Sequence, residues 1–278
     1  MKDLTIIFNA YHSEDSLKKV LKYLQKFKIL IVENSLDRNI KQRLESKYKN
    51  IKVLIPNKNL GLAAGFNYGI KRTKTRYIFL NNPDIKIDFR SISKLLKYSK
   101  EIKRFGSITP IYNNEKIHKN YGRIYKYLTK KICSVHWADN NFLIDKFQIK
   151  KRFFDENFFL YFENIDFCLN LIRNNKEVLI AKDVKFSHYG SKSIDKKYKN
   201  VVILTRAWHF NWSKFYFYKK NYNYIYALTR IIPNFYQAIR NFFINLIKLN
   251  LFGAKLNLVE MYGILSSIFL LKSFYRAK

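Results

Sequence analysis

The stretch "RYIFLNNPDIKID", Arg76 to Asp88, decides the reading of the fold. Tyr77 to Asn81 form a continuous apolar run closed by an amide, the pattern of a strand buried on both faces. Asn82, Pro83 and Asp84 follow at once. Pro83 fixes its own φ and biases Asn82 toward extended backbone, so the direction of the Asp84 carboxylate is restricted. An ordinary Asn-Pro-Asp turn has the same composition. A carboxylate at the end of a buried strand also suits a divalent cation held against a diphosphate.

Working toward the N-terminus, the same pattern repeats. "LTIIFN" (Leu4 to Asn9) is a strand-like run. "SEDSLKKVLKYLQKF" carries Leu17, Val20, Leu21 and Leu24 at helical spacing behind Ser13, a candidate N-cap. "ILIVEN" and "IKVLIP" are further strands, separated by a basic helix. "LAAGFNYGIKRT" reads as a helix before the Tyr77 strand. Strand and helix alternating at this length predict an α/β domain with a mostly parallel sheet flanked by helices. Ligands in such sheets lie beyond the carboxyl ends of the strands. Tyr11 to Glu14, Glu33 to Ser35, Asn59 and Asn82 to Asp84 all fall there.

Toward the C-terminus the pattern is less regular from about 105 to 188. "ICSVHWADNNFLI" suggests a strand and a loop. "FFDENFFLYFENIDFCLNLIRNNK" joins an aromatic loop to a helix starting near Glu163. "EVLIAKDVKFSHYG" reads as two short strands. Beyond Asp195 the character changes: residues 196–278 contain fourteen Lys or Arg and one acid, Glu260, with aromatic residues among the bases. This predicts a main domain over 1–195 and a basic, aromatic, helical C-terminal region over 196–278. No internal repeat is evident.

The 278 residues carry 53 Lys or Arg against 20 Asp or Glu, a net charge of +33 that favours anionic partners. Abundant Lys, Asn, Ile, Phe and Tyr with scarce Gly also fit an AT-rich coding sequence. Cys133 and Cys168 lack metal-ligand spacing and read as free thiols of a reducing cytosol. The N-terminal apolar run is too short for a signal peptide, and no uncharged apolar stretch reaches the ~18 residues of a spanning helix. A cytoplasmic protein is expected, peripheral on the inner face of the membrane if the basic tail binds anionic lipid. Nucleic-acid binding is the competing class. The charge permits it, but no binding motif supports it and it leaves the ordered acids unexplained, so no nucleic-acid partner is expected.

Four features carry chemistry. Besides Asp84, Gly61, Gly65 and Gly69 are four apart around Ala63 and Ala64, a small-residue helix face that admits a backbone or a ligand. They form neither a dinucleotide fingerprint nor a Walker loop. Glu163 and Asp166 share one face at a helix start, where the positive helix end favours their charged forms. That placement suits helix capping or a general base. His188 ends a predicted strand and reads as packing or, with a metal at Asp84, as a ligand.

In order and spacing these stretches resemble the family 2 glycosyltransferases, most closely their rhamnosyltransferase-like branch. The matching blocks are Tyr11 to Glu14, "VENS", Asn59 through Gly61, Gly65, Asn67 and Gly69, "LNNPD", "FDENFF", "ENID" and "SHYGSKS". They cover roughly Leu4 to Ser193. The resemblance implies a GT-A fold and inverting transfer from a nucleotide sugar with Mg²⁺ or Mn²⁺. Its acceptor would be a hydroxyl of a glycan or a polyprenyl-linked carrier, in bacterial surface polysaccharide synthesis. It further implies donor contacts from Tyr11, Glu14, Glu33, Asn34, Asn59, Gly65, Asn67, Asn82 and Asp84, metal ligation by Asp84 and His188, and a base at Asp166 or Glu163. One departure bears on activity. Asn164 stands where the family commonly has its Asp base, and an amide cannot take that proton. A non-catalytic relative is the alternative reading.

Overall fold

The computed structural model describes residues 3–113, 119–149, 153–188 and 196–276. In chain order the elements are β1 (Leu4–Ala10), α1 (Glu14–Leu21), β2 (Lys28–Glu33), α2 (Arg38–Lys47), β3 (Ile51–Leu54), α3 (Gly61–Lys71), β4 (Tyr77–Asn81) and β5 (Ile85–Lys86). Then follow α4 (Phe89–Glu101), β6 (Phe105–Tyr112), β7 (Ile124–Tyr127), β8 (Ile132–Val135), β9 (Leu143–Asp145), α5 (Glu163–Arg173) and β10 (Glu177–His188). Three long helices close the chain: α6 (Lys199–Asn221), α7 (Tyr224–Ile247) and α8 (Leu251–Ile268).

These elements form two compact units. One comprises Met1–Asp155 with Asn164–Asp195, the other Glu156–Glu163 with Lys196–Lys278. The loop Glu156–Glu163, placed by sequence with the first domain, thus belongs with the helices.

The first unit is a sheet of order β3-β2-β1-β4-β9-β6-β10-β8-β7, with β5 on β10. The pairs β1–β2, β1–β4, β2–β3 and β6–β10 are parallel, as the alternation predicts. β9, only three residues long, runs antiparallel between β4 and β6. The sequence reading treats it as loop, because three residues are too few to show a period. The stretch read as two short strands is one, β10, broken in register against β6 between Ala181 and Lys185. Phe8, Phe79, Leu143 and Leu179, all fully buried, belong to one core cluster of the sheet. Helix α1 buries Leu17, Val20 and Leu21, and it stops at eight residues. Ser13 sits at its N-cap without capping it: the hydroxyl donates to the Tyr11 carbonyl at 2.8 Å instead.

The second unit packs α6, α7 and α8 around small and aromatic residues. Trp208 is fully buried, and a Cβ on Gly263 would lie 2.5 Å from the Trp208 carbonyl oxygen. That close approach explains the glycine. The imidazole of His209 lies with its Nε2 2.9 Å from the Tyr275 carbonyl, and the Arg276 guanidinium sits 3.3 Å from the Phe159 ring centre. Ser213 anchors the Glu156–Glu163 loop by donating to the Leu160 carbonyl at 2.8 Å. Among the described residues no helix is long and apolar enough to cross a membrane.

Candidate active site

The carboxyl ends of β1, β2 and β4 lie side by side, because β1 pairs in parallel with both neighbours. Residues just past two of these strands hold left-handed backbone: His12 at φ 48° and Leu36 at φ 67°. Gly61, opening α3, has φ 72°. Non-glycine residues adopt this region at a cost, and such positions gather where loops are shaped for a ligand.

Asn9 organises this edge, and the sequence reading missed it. Its amide donates to the carbonyls of Gly61 at 2.8 Å and Leu62 at 2.9 Å, and its oxygen accepts from the Asn34 amide. The Asn34 oxygen accepts from the Leu60 amide at 2.9 Å, and the Asn59 oxygen from the Gly61 amide at 2.9 Å. A Cβ on Gly65 would collide with the Asn9 side chain, so this glycine is needed for the strand–helix approach. One network therefore gathers Asn34, Asn59 and Gly65. An amide closing a buried strand was the signal for Asn9.

Glu33 ends β2 and is fully buried. Burial pushes its carboxyl up from the usual range, while hydrogen bonds from Ser35 and the His12 backbone pull the other way. The Ser35 amide donates to its Oε1 at 2.9 Å. Tyr11 sits beside His12, ring centres 4.4 Å apart. Two of the expected donor contacts have protein partners as well. Glu14 forms ion pairs with Arg43 and Lys18, which hold its carboxyl down at about 2. Asn67 clamps the Phe154 backbone, donating to its carbonyl at 2.9 Å and accepting from its amide at 3.1 Å.

Past β4, the Asn82 amide donates to the Asn141 side chain at 3.1 Å. Asp84 is buried two residues on. Burial pushes the Tyr112 phenol well above its usual value, and the carboxylates of Asp139 and Asp84 push it further. The Asn82–Asn141 bond also brings the loop of Asp139 against the turn of Asp84. Asp139 is the second residue the sequence reading missed, because "WADNN" was read only as strand and loop. Asn164, at the start of α5, donates to the Ala138 carbonyl at 3.0 Å and reaches the Asp139 carboxylate at 3.5 Å. This ties α5 to the Asp139 loop. Asp166, one turn along α5, is buried and accepts from Asn170 at 3.3 Å. The backbone just before α5 is strained as well, with Tyr161 at φ 68° and Phe162 at φ 65°.

Backbone pairing sets His188 opposite Ile85. Its side chain and the residues 189–193 that follow lie outside the described residues. Among the described residues no three His, Cys, Asp or Glu side chains cluster as metal ligands. Asp84 and Asp139, hard carboxylates on two loops joined by the Asn82–Asn141 hydrogen bond, fit the oxygen-donor chemistry of Mg²⁺ or Mn²⁺.

The model of the family described as glycosyl transferase family 2 matches residues 5–168. Three solved structures are similar in fold. Against the crystal structure of GalNAc-T7 with UDP, GalNAc and Mn²⁺, the TM-score is 0.58 at 12% identity, covering 84% of this chain and 57% of that one. Against S. aureus TarS the TM-score is 0.52 at 16% identity, covering 74% and 40%. Against the mannosyltransferase PcManGT from Pyrobaculum calidifontis in complex with GDP-Man and Mn²⁺, it is 0.57 at 9% identity, covering 96% and 87%. The chain thus spans about half the length of the first two. No curated protein matches the chain in sequence.

Proposed function

Because the chain belongs to glycosyl transferase family 2, we propose that it moves a sugar from a nucleotide-sugar donor to an acceptor hydroxyl with inversion. The nucleoside rests on the edge formed by Tyr11, Glu33, Asn34 and Asn59, where Asn9 fixes the loops. Asp84, Asp139 and His188 are the residues that would hold Mg²⁺ or Mn²⁺. That ion supplies positive charge for the departing diphosphate.

In the reaction the acceptor oxygen bonds to the anomeric carbon as the bond from that carbon to the diphosphate oxygen breaks. The acceptor proton passes to a carboxylate, Asp166 or Glu163. Asn164 is not that base. Its amide donates to Ala138, a bond a carboxylate cannot make, and its part is to hold the Asp139 loop against α5. The sugar is hexose- or rhamnose-like, and the acceptor is a glycan or polyprenyl-linked carrier of bacterial surface polysaccharide synthesis. The enzyme works on the inner face of the cytoplasmic membrane.

The observation that supports this reading is the hydrogen bond from the Asn82 amide to the Asn141 side chain, 3.1 Å, which joins the turn carrying Asp84 to the loop carrying Asp139. The test is a set of nucleotide sugars assayed for Mn²⁺-dependent thermal stabilisation, followed by transfer with the best donor. Stabilisation by one donor, lost in Asp139→Ala, is expected, with transfer crippled in Asp166→Asn or Glu163→Gln and little changed in Asn164→Ala. Equal stabilisation of Asp139→Ala would remove that residue from the site. An essential Asn164 with both acids dispensable would reassign the base.

A further inference from the structure

Helix α7 faces the wrong way for a helix in water. Its buried residues are Ala227, Ile231 and Ala238, on one side. The opposite side presents Ile225 (74% exposed), Ile232 (42%), Tyr236 (68%), Phe243 (58%) and Ile247 (83%). Steps of seven, four, seven and four residues at 100° each keep these five within about 60° of one another. At ~1.5 Å per residue the stripe is roughly 33 Å long. Leu249, in the turn to α8, and Leu251, its first residue, are also exposed, at 83% and 75%. Contiguous apolar surface of this extent marks a contact face.

Charge identifies the occupant. At the same pitch Arg240 lies about 20° beyond the stripe and Arg230 and Lys248 about 100° beyond it on the same side, and all three are exposed. Within residues 196–278 fourteen Lys or Arg oppose one Glu. A second copy of this chain would set like charge against like charge across the stripe. A surface of anionic lipid complements it, and a helix with an apolar stripe and a basic edge lies in the plane of such a surface. We propose that α7 docks flat on an anionic bilayer, its apolar stripe sunk among the headgroups. Arg230, Arg240 and Lys248 then meet lipid phosphates. This deepens the peripheral location proposed above.

The test uses the full chain with vesicles of phosphatidylcholine, with and without phosphatidylglycerol. Sedimentation with the anionic vesicles is expected, at least tenfold stronger than with neutral ones. Ile232→Glu with Ile247→Glu should weaken it at least tenfold while leaving the melting temperature unchanged, because both side chains are exposed. Replacing Arg230, Arg240 and Lys248 together by Gln should cost on the order of a hundredfold, each basic group being worth about fivefold near the surface. Absence of vesicle binding, equal binding to neutral vesicles, or full binding by the Ile232/Ile247 variant would overturn the proposal. So would a dimer in light scattering that the same variant dissolves, which would assign the stripe to a second copy. The donor-induced thermal shift is read in parallel on each variant. Its loss alone would count against sugar transfer and not against docking.

Discussion

The sheet unit and the helical unit reverse each other's placement of polar and apolar groups. In the sheet unit, Glu33, Asn81, Asp84 and Asp166 are buried at or just past strand ends and at a helix start, where the donor is proposed to bind. In the helical unit, Ile225, Tyr236, Phe243 and Ile247 stand in solvent on a helix whose few buried residues are mostly small. Burying an acid costs free energy, and so does hydrating a row of isoleucines. Neither is retained for stability. The comparison teaches that each unit gives up stability at the place where a partner is proposed for it: a charged ligand in one, an apolar surface in the other.

Four measurements would break or sharpen that contrast. The largest effect is expected at Asp84. In Asp84→Ala, turnover should fall at least about 100-fold, the scale for losing one preorganised electrostatic contact. Wild-type turnover would show that the buried acid is an ordinary turn residue.

Next is the acid response of the helical unit. Burial first, and Arg276 second, hold the His209 imidazole down at about 3, against an opposing hydrogen bond to the Tyr275 carbonyl. A histidine kept neutral in the fold contributes stability that is complete above its unfolded value near 6.5. That stability is lost as pH falls toward 3, at about 1.4 kcal/mol per pH unit. The protection factors of α6 amides, which correct for the intrinsic pH dependence of exchange, should therefore fall between pH 6.5 and 4.5, and His209→Gln should flatten the dependence. An unchanged profile in that variant would clear His209.

Third come two glycines, one in each unit. Ala at Gly65 meets the Asn9 side chain, and Ala at Gly263 meets the Trp208 backbone. Each should cost about 1–3 kcal/mol of stability by denaturant titration. Only Gly65→Ala should also weaken donor binding. Equal donor affinity in both variants would detach the Asn9 network from the ligand edge.

The smallest effect is expected at Glu33. Burial raises its carboxyl, so the fold pays for the charge once pH exceeds the unfolded value of about 4.5. Glu33→Gln should melt higher than wild type at neutral pH, with the gain vanishing near pH 4. A gain persisting at pH 4 would place the cause elsewhere. The two units thus respond to pH in opposite senses, His209 weakening the fold in acid and Glu33 weakening it as the solution becomes neutral.

Much of the sheet was legible because its strands are long apolar runs ended by polar residues. Tyr77 to Asn81 coincide with β4 to the residue, and Glu33 and Asn34 fall at the carboxyl end of β2 as the alternation predicts. Asn9 and Asp139 were not legible as site residues. One looks like the polar end of any strand, and the other lies in a loop whose position depends on pairing β9 between β4 and β6. Nor does the sequence separate Asn67, which grips the Phe154 backbone 87 residues away, from amides free to meet a ligand.

Local pattern by itself determined the alternation of strand and helix, the acid after β4 and the shift to a basic, aromatic C-terminal region. Those are properties of neighbours along the chain, set by side-chain period and backbone restriction. Tertiary structure alone decided that the Asp139 loop meets the Asp84 turn through Asn141 and Asn82, that Asn9 ties three segments together, and that the apolar stripe of α7 points outward. Each depends on which segments meet after long loops close, and the free energy of those meetings is spread over the whole core.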